Sequence, residues 1–186
     1  MNPGSALTPF RWHFSADERD ACWTAALRAT GVRKCNPTPV SASERDQTYY
    51  EWIGRLGELA FARLHDLPIT HAIRVCRGDD GGVDNILYGH EVDVKTRDRG
   101  IHFYMPLKTY EDRGLRAEIY PLMVTSGENA WAEFAGWLTA DEIDVYHEEV
   151  TLAGRIPSIL VKSERLGRPE ALLPFVRDHQ IRESRG

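Results

Sequence analysis

The sequence predicts an α/β fold in which a mixed central β-sheet is flanked by helices. Three observations predict it: an apolar pattern of helical period over residues 43–66, a run of short strand-like segments punctuated by glycine-bearing turns directly after it, and further helical and strand segments beyond residue 140 that can close the core. At 186 residues, with 42% apolar and 10% aromatic side chains, the chain has the size of one ordinary domain and enough apolar surface to fill it.

Taken in order, Ser15 and Glu18 stand in capping-box spacing and Gly31 marks an end, which predicts a first helix with Trp23, Ala26 and Leu27 on its buried face. The Pro-bearing joint Asn36-Pro37-Thr38-Pro39 follows. Residues 1–40 therefore read as an N-terminal helical extension packed on the core, and residues 41–186 as a single globular unit. A second helix is expected over 43–66, halted before Pro68, because Trp52, Ile53, Leu56, Leu59, Ala60 and Leu64 recur at helical spacing; Glu58 rides on it. Residues 70–76 read as a strand and Asp79-Asp80-Gly81-Gly82 as a turn. Strands over 83–88 and 91–96 come next, joined by Gly89-His90, since glycine in the first central position suits a type II′ hairpin turn. Residues 140–149 and 152–180 supply a helix, an edge strand and closing helices, with Trp131 and Trp137 as packing residues.

The turn sets a register. With Tyr88 facing Glu91, Ile86 meets Asp93 and Asp84 meets Lys95, so Asp84, Asp93 and Lys95 share one face while Val92 and Val94 face a helix. Opposed Cβ atoms lie about 5 Å apart and diagonal ones about 7 to 8 Å, a spacing at which two aspartates can turn onto one cation. An isolated Asp-x-Lys is ordinarily the wet face of an amphipathic strand, with Asp84 and Lys95 as a cross-strand ion pair. The ordered set is rarer: a helical glutamate upstream, an aspartate opening one strand, and Asp93-Val94-Lys95 on its hairpin partner. Mg²⁺ takes hard oxygen ligands at about 2.0 to 2.1 Å and keeps several waters, so two aspartates leave room for a phosphodiester oxygen and an attacking water. Lys95 is placed to act on that water or on the transition-state oxygens, and Glu58 to hold a water on the metal or to ligate a second one.

Gly57-Glu58, Gly82-Val83-Asp84 and Glu91-Val92-Asp93-Val94-Lys95-Thr96 together resemble the PD-(D/E)xK nuclease superfamily, in particular its small phage-type members. The likeness spans about residues 49–138. It takes in 117–124 as the next core strand and 134–139 as a following one. It departs from the pattern at Val83, where the family has the proline of its name, and it lacks the glutamine and tyrosine motif of the exonuclease-like branch. The resemblance implies a restriction-endonuclease-like core and a Mg²⁺-dependent deoxyribonuclease in which Mn²⁺ substitutes. It further implies Glu58, Asp84, Asp93 and Lys95 as catalytic residues, and Asp84, Asp93 and the Val94 backbone carbonyl as metal ligands, with Glu58 joining through water. Endonuclease action is preferred. The alternative is a catalytically silent nucleic-acid- or protein-binding module of the same fold, and a metal enzyme acting on another phosphoester is a third reading.

The rest of the sequence narrows the field. A formal net charge of −5 argues against coating of DNA through bulk electrostatics and favours a localised phosphate site. Arg97, Arg99, Lys108 and Arg55, with Arg63, are the candidate phosphate contacts, although Asp98, Glu111 and Asp112 are available to pair with them. His102, Phe103 and Tyr104 read as an aromatic core strand rather than a base-stacking platform. The 7 histidines and 3 cysteines show no zinc-ligand spacing. The acidic stretch 79–84 lacks the ligand spacing of an EF-hand, and no phosphate-binding loop, dinucleotide fingerprint or serine elbow is present. Neither a membrane span nor a signal peptide is apparent, so a cytoplasmic protein is expected, in the host cytoplasm if phage-encoded. DNA is the expected partner, with a homodimer or protein partner supplying site specificity and double-strand cutting.

Overall fold

The computed structural model describes residues 10–33, 44–69, 83–98, 100–126, 130–151 and 156–183. The expected strand over 70–76, the turn over 79–82, the Pro-bearing joint and Arg99 lie outside the described residues.

The long helices form where the sequence pattern places them. Helix α1 covers Ala16–Arg33 and opens with a capping box: Glu18 N–H donates to Ser15 Oγ at 3.2 Å and Ser15 N–H to Glu18 Oε2 at 3.0 Å. It runs past Gly31, as an interior glycine costs only about 1 kcal/mol. Its core face is Cys22, Ala25, Ala26 and Ala29, whereas Leu27 is 50% exposed and Trp23 packs edge-on against Trp52 at 5.3 Å. Small residues on that face bring α1 close to helix α2, Glu44–Leu64, which buries Ile53, Leu56, Leu59, Ala60 and Phe61 at the expected period.

The central sheet has six strands. β1 (Arg11–His13), a strand with no signal in the sequence pattern, pairs antiparallel with β7 (Trp131–Thr139) at one edge. β7 pairs antiparallel with β6 (Ile119–Thr125), and β6 runs parallel to both β3 (His90–Val92) and β4 (Lys95–Arg97). β2 (Asn85–Leu87) lies antiparallel to β3 at the far end. A register shift in the β6–β7 pairing skips Ala135, so Phe134 and Trp137, rather than alternate residues, both join the core under α2. Gly136 at the shift has φ 154°, and a Cβ there would lie 2.8 Å from the Gly167 carbonyl oxygen.

A second sheet, unforeseen from the sequence, consists of β5 (Phe103–Pro106), β9 (Ser158–Val161) and β8 (Glu148–Val150). Helix α3 (Leu107–Arg113) follows β5. Helix α4 (Ala140–Tyr146) starts from a Thr139–Glu142 capping box, and helix α5 (Pro169–Glu183) packs on β7. Two apolar cores result. One lies between the helices and the central sheet and holds Leu56, Leu59, Val92, Val94, Met123 and Phe134. The other lies between the two sheets around Phe103, Tyr120, Leu138 and Ile143. β6 is the shared wall, so its residues are buried on both faces.

Candidate active site

The hairpin forms with its turn one residue earlier than expected. Leu87 pairs with His90 and Asn85 with Val92, which leaves Tyr88-Gly89 as the loop. Both loop residues have positive φ, 52° and 92°, the signature of a type I′ turn rather than II′. The left-handed conformation costs Tyr88 about 1 to 2 kcal/mol. That cost is offset from α5, where Arg177 lies over the Tyr88 ring at 5.1 Å and donates to its hydroxyl at 2.8 Å. The shift also releases His90 from the turn into a buried position where its ring meets the Glu118 carboxylate.

Moving the turn by one residue changes the cross-strand pairing by two, so inward and outward faces are preserved and the opposed partners change. Asp84 is not opposite Lys95. Its N–H donates to the Val92 carbonyl at 2.8 Å, and its Oδ2 accepts the Val94 N–H at 2.7 Å. A carboxylate has thus taken the backbone donor that a sheet neighbour would use. For this reason the single strand expected over 91–96 is divided into β3 and β4 at Asp93-Val94, although both parts keep one continuous register along β6. Lys95 donates to the Asp93 carboxylate at 2.6 Å, so its ion pair is with its own strand rather than across the hairpin.

The four residues expected in the site come together. Asp84 and Asp93 are each 8% exposed. Burial, and after it the negative charges of Glu58 and Asp93, push the Asp84 carboxyl well above the usual carboxylate range; the Val94 N–H and Lys95 pull it back. Glu58 reaches this cluster because α2 lies unusually close to β4. A Cβ on Gly57 would sit 1.9 Å from Thr96 Oγ1, and Thr96 Oγ1 donates to the Gly54 carbonyl at 3.4 Å. The same proximity is felt by Cys22, whose thiol is pushed up to about 12 by burial and then by Glu58; it is a buried thiol. Tyr120, which the sequence pattern does not single out, is within reach of the Asp93 charge. Burial chiefly pushes its hydroxyl up to about 12, and that hydroxyl accepts the Ala117 N–H at 3.0 Å.

The donor chemistry suits a hard divalent cation. Three carboxylates face one ammonium, and the most buried carboxyl is held towards protonation by its neighbours, a strain that a cation would relieve. Among the described residues no three His, Cys, Asp or Glu side chains form a ready-made metal cage. Mg²⁺ is commonly held by one or two carboxylates with waters and substrate phosphates in the remaining positions. Of the Val94 backbone, the N–H is engaged with Asp84.

No protein family, curated protein sequence or solved structure matches this chain.

Of the candidate phosphate contacts, Arg55 is 7% exposed and pairs with Glu51 at 2.8 Å along α2. Lys108 pairs with Asp112 at 2.6 Å on α3, and Arg63 with Glu18 at 3.3 Å. Arg97 sits over the Tyr104 ring, 4.2 Å from its centroid. Phe103 is fully buried in the second core and His102 Nδ1 accepts the Ser163 N–H at 3.0 Å, so these two residues serve packing and local structure. Trp137 likewise packs, donating its ring N–H to the Arg168 carbonyl at 3.0 Å. No helix among the described residues is long and apolar enough to cross a membrane.

Proposed function

We propose that this protein is a Mg²⁺-dependent deoxyribonuclease that hydrolyses DNA phosphodiester bonds as an endonuclease. The observation that carries the reading is the crowding of a buried Asp84 carboxyl by Glu58 and Asp93, with Lys95 bonded to Asp93. Asp84 and Asp93 would hold the metal, with Mn²⁺ able to substitute. When bound, the cation supplies Lewis-acid activation of water and charge stabilisation at the phosphoryl group. Asp84 is oriented for this by the Val94 N–H, which fixes one of its carboxylate oxygens. Lys95 is positioned through Asp93 to hydrogen-bond the attacking water or the oxygens that gain charge as the bond breaks. Glu58 orients a water at the edge of the cluster. Cutting both strands of a duplex requires two such sites, so a homodimer is expected by light scattering.

The test is incubation with supercoiled, linear and single-stranded DNA in Mg²⁺, Mn²⁺ or EDTA, beside Asp93→Ala and Lys95→Ala. Nicking of closed circular DNA in either metal, abolished by EDTA and by both substitutions, is the expected result. Cleavage that survives both substitutions overturns the reading. Absence of cleavage on every substrate, with no divalent-metal affinity by calorimetry, favours the silent binding module.

A further inference from the structure

We propose that Arg97, held in place by the ring of Tyr104, grips the DNA phosphate next to the one that is cut, an assignment that rests on the nuclease reading above. Arg97 stands two residues beyond Lys95 on β4, so both side chains leave the same face of the sheet. Their origins lie about 7 Å apart, the scale of the step between neighbouring phosphates along one DNA strand. A backbone bound with its scissile phosphate at Lys95 therefore brings the next phosphate to Arg97.

The residue is prepared for that contact from both ends. Its backbone is fixed in the parallel ladder opposite Val124, and the Thr125 hydroxyl donates to its carbonyl at 3.2 Å. Its guanidinium is supported by Tyr104, which comes from β5 of the second sheet; the two sheets thereby meet at the exit of the catalytic strand. Arginine and tyrosine are both partly exposed. A guanidinium resting on a ring keeps its N–H donors in the plane of the fork, the geometry that matches a phosphate bidentately, and less side-chain entropy is lost on binding. Tyr104 acts through Arg97 and is a positioning residue. Because the contact is to phosphate, it contributes affinity without sequence preference.

The test combines fluorescence anisotropy of a labelled duplex in EDTA across a salt series with single-turnover cleavage in Mg²⁺. Arg97→Ala is expected to weaken binding about tenfold and to reduce the salt slope by about 0.9, the share of one phosphate contact. Single-turnover cleavage at subsaturating DNA should fall by about the same factor as the affinity. Tyr104→Leu, which leaves Arg97 in the chain, should reproduce most of the loss, and Tyr104→Phe, which keeps the ring, should bind as wild type. Circular dichroism checks that each variant is folded; if Arg97→Ala is not, Arg97→Lys and the two Tyr104 variants carry the test. Arg97 variants with wild-type affinity and slope overturn the proposal, as does a Tyr104→Leu variant indistinguishable from wild type. Cleavage with unaffected Arg97 and Tyr104 variants removes this contact and leaves the nuclease reading standing. Arg97-dependent binding by a protein that never cuts DNA does the reverse.

Discussion

Asp84 is a carboxyl whose environment opposes its own ionisation. Burial and the charges of Glu58 and Asp93 raise its folded-state pKa well above the ordinary 3.8. The folded state therefore binds more protons than the unfolded chain above that value, and stability is lost as pH rises from about 4 through the raised pKa. Three consequences can be measured, by thermal unfolding and by cleavage assay. Without metal, Asp84→Asn should be more stable than wild type at pH 8, with the gap closing towards pH 4. Mg²⁺ should raise the wild-type midpoint more at pH 8 than at pH 5.5, since only the ionised carboxyl binds it. The same variant should lose the Mg²⁺ response and about ten- to a hundredfold of the cleavage rate. A Mg²⁺ response that persists in Asp84→Asn contradicts the assignment of this side chain as a ligand. The identity of these residues was legible because Glu58, Asp84, Asp93 and Lys95 follow one another in an order with a chemical meaning. Their partners were not: Lys95 bonds its strand neighbour Asp93, and Asp84 captures the Val94 N–H. These choices depend on where one turn closes.

At the scale of elements, the contact that delivers Glu58 is the approach of α2 to β4, and glycine makes it possible. Gly57→Ala would press a methyl group into Thr96, so the helix must retreat and carry Glu58 with it. A loss of about 1 to 3 kcal/mol is expected from overpacking, with a fall in cleavage rate. At Gly54, one turn earlier, a Cβ would meet nothing within 4 Å. Gly54→Ala should therefore stabilise the protein by about 0.5 to 1 kcal/mol through helix propensity and leave activity intact. Urea unfolding of the two variants separates close approach from a general intolerance of side chains on this helix; equal effects would show that the Thr96 contact is not the cause. Apolar periodicity was enough to find α2. The hairpin could be located but not registered, because Gly89 suits either a II′ turn starting at residue 89 or a I′ turn ending there. Arg177, nearly ninety positions away in sequence, supports the second.

At the scale of the whole molecule, two cores share β6, and a half-buried histidine packs on aromatic rings of the first. His65 packs against Phe61 at 4.4 Å and Phe134 at 5.7 Å, and neither ring nitrogen has a hydrogen-bond partner among the described residues. Burial lowers its pKa to about 4. The unfolded chain binds the extra proton between pH 6.5 and 4, so stability is lost as pH falls through that window, by roughly 2 to 3 kcal/mol for this group. His65→Phe should flatten the acid limb of the stability profile, read as the difference from wild type in urea unfolding at pH 7 and pH 4.5. Parallel curves would show that the ring is solvated in solution. This dependence is opposite in sign to that of Asp84.

Composition, helical period and the ordered acidic and lysine residues were sufficient to indicate a mixed α/β architecture, the two long helices, the existence of the hairpin, and Asp84, Asp93 and Lys95 as one cluster with Glu58 beside it. These are local signals: capping pairs, apolar repeats and short spacings act over a few residues. Only the tertiary structure decided the strand at residues 11–13, the second sheet, the turn register, the bond partners of the carboxylates and the fate of the basic residues. Those outcomes rest on contacts between distant segments, such as Arg177 with Tyr88, Gly57 with Thr96 and Tyr104 with Arg97, whose free energies exist only once the chain has folded around them.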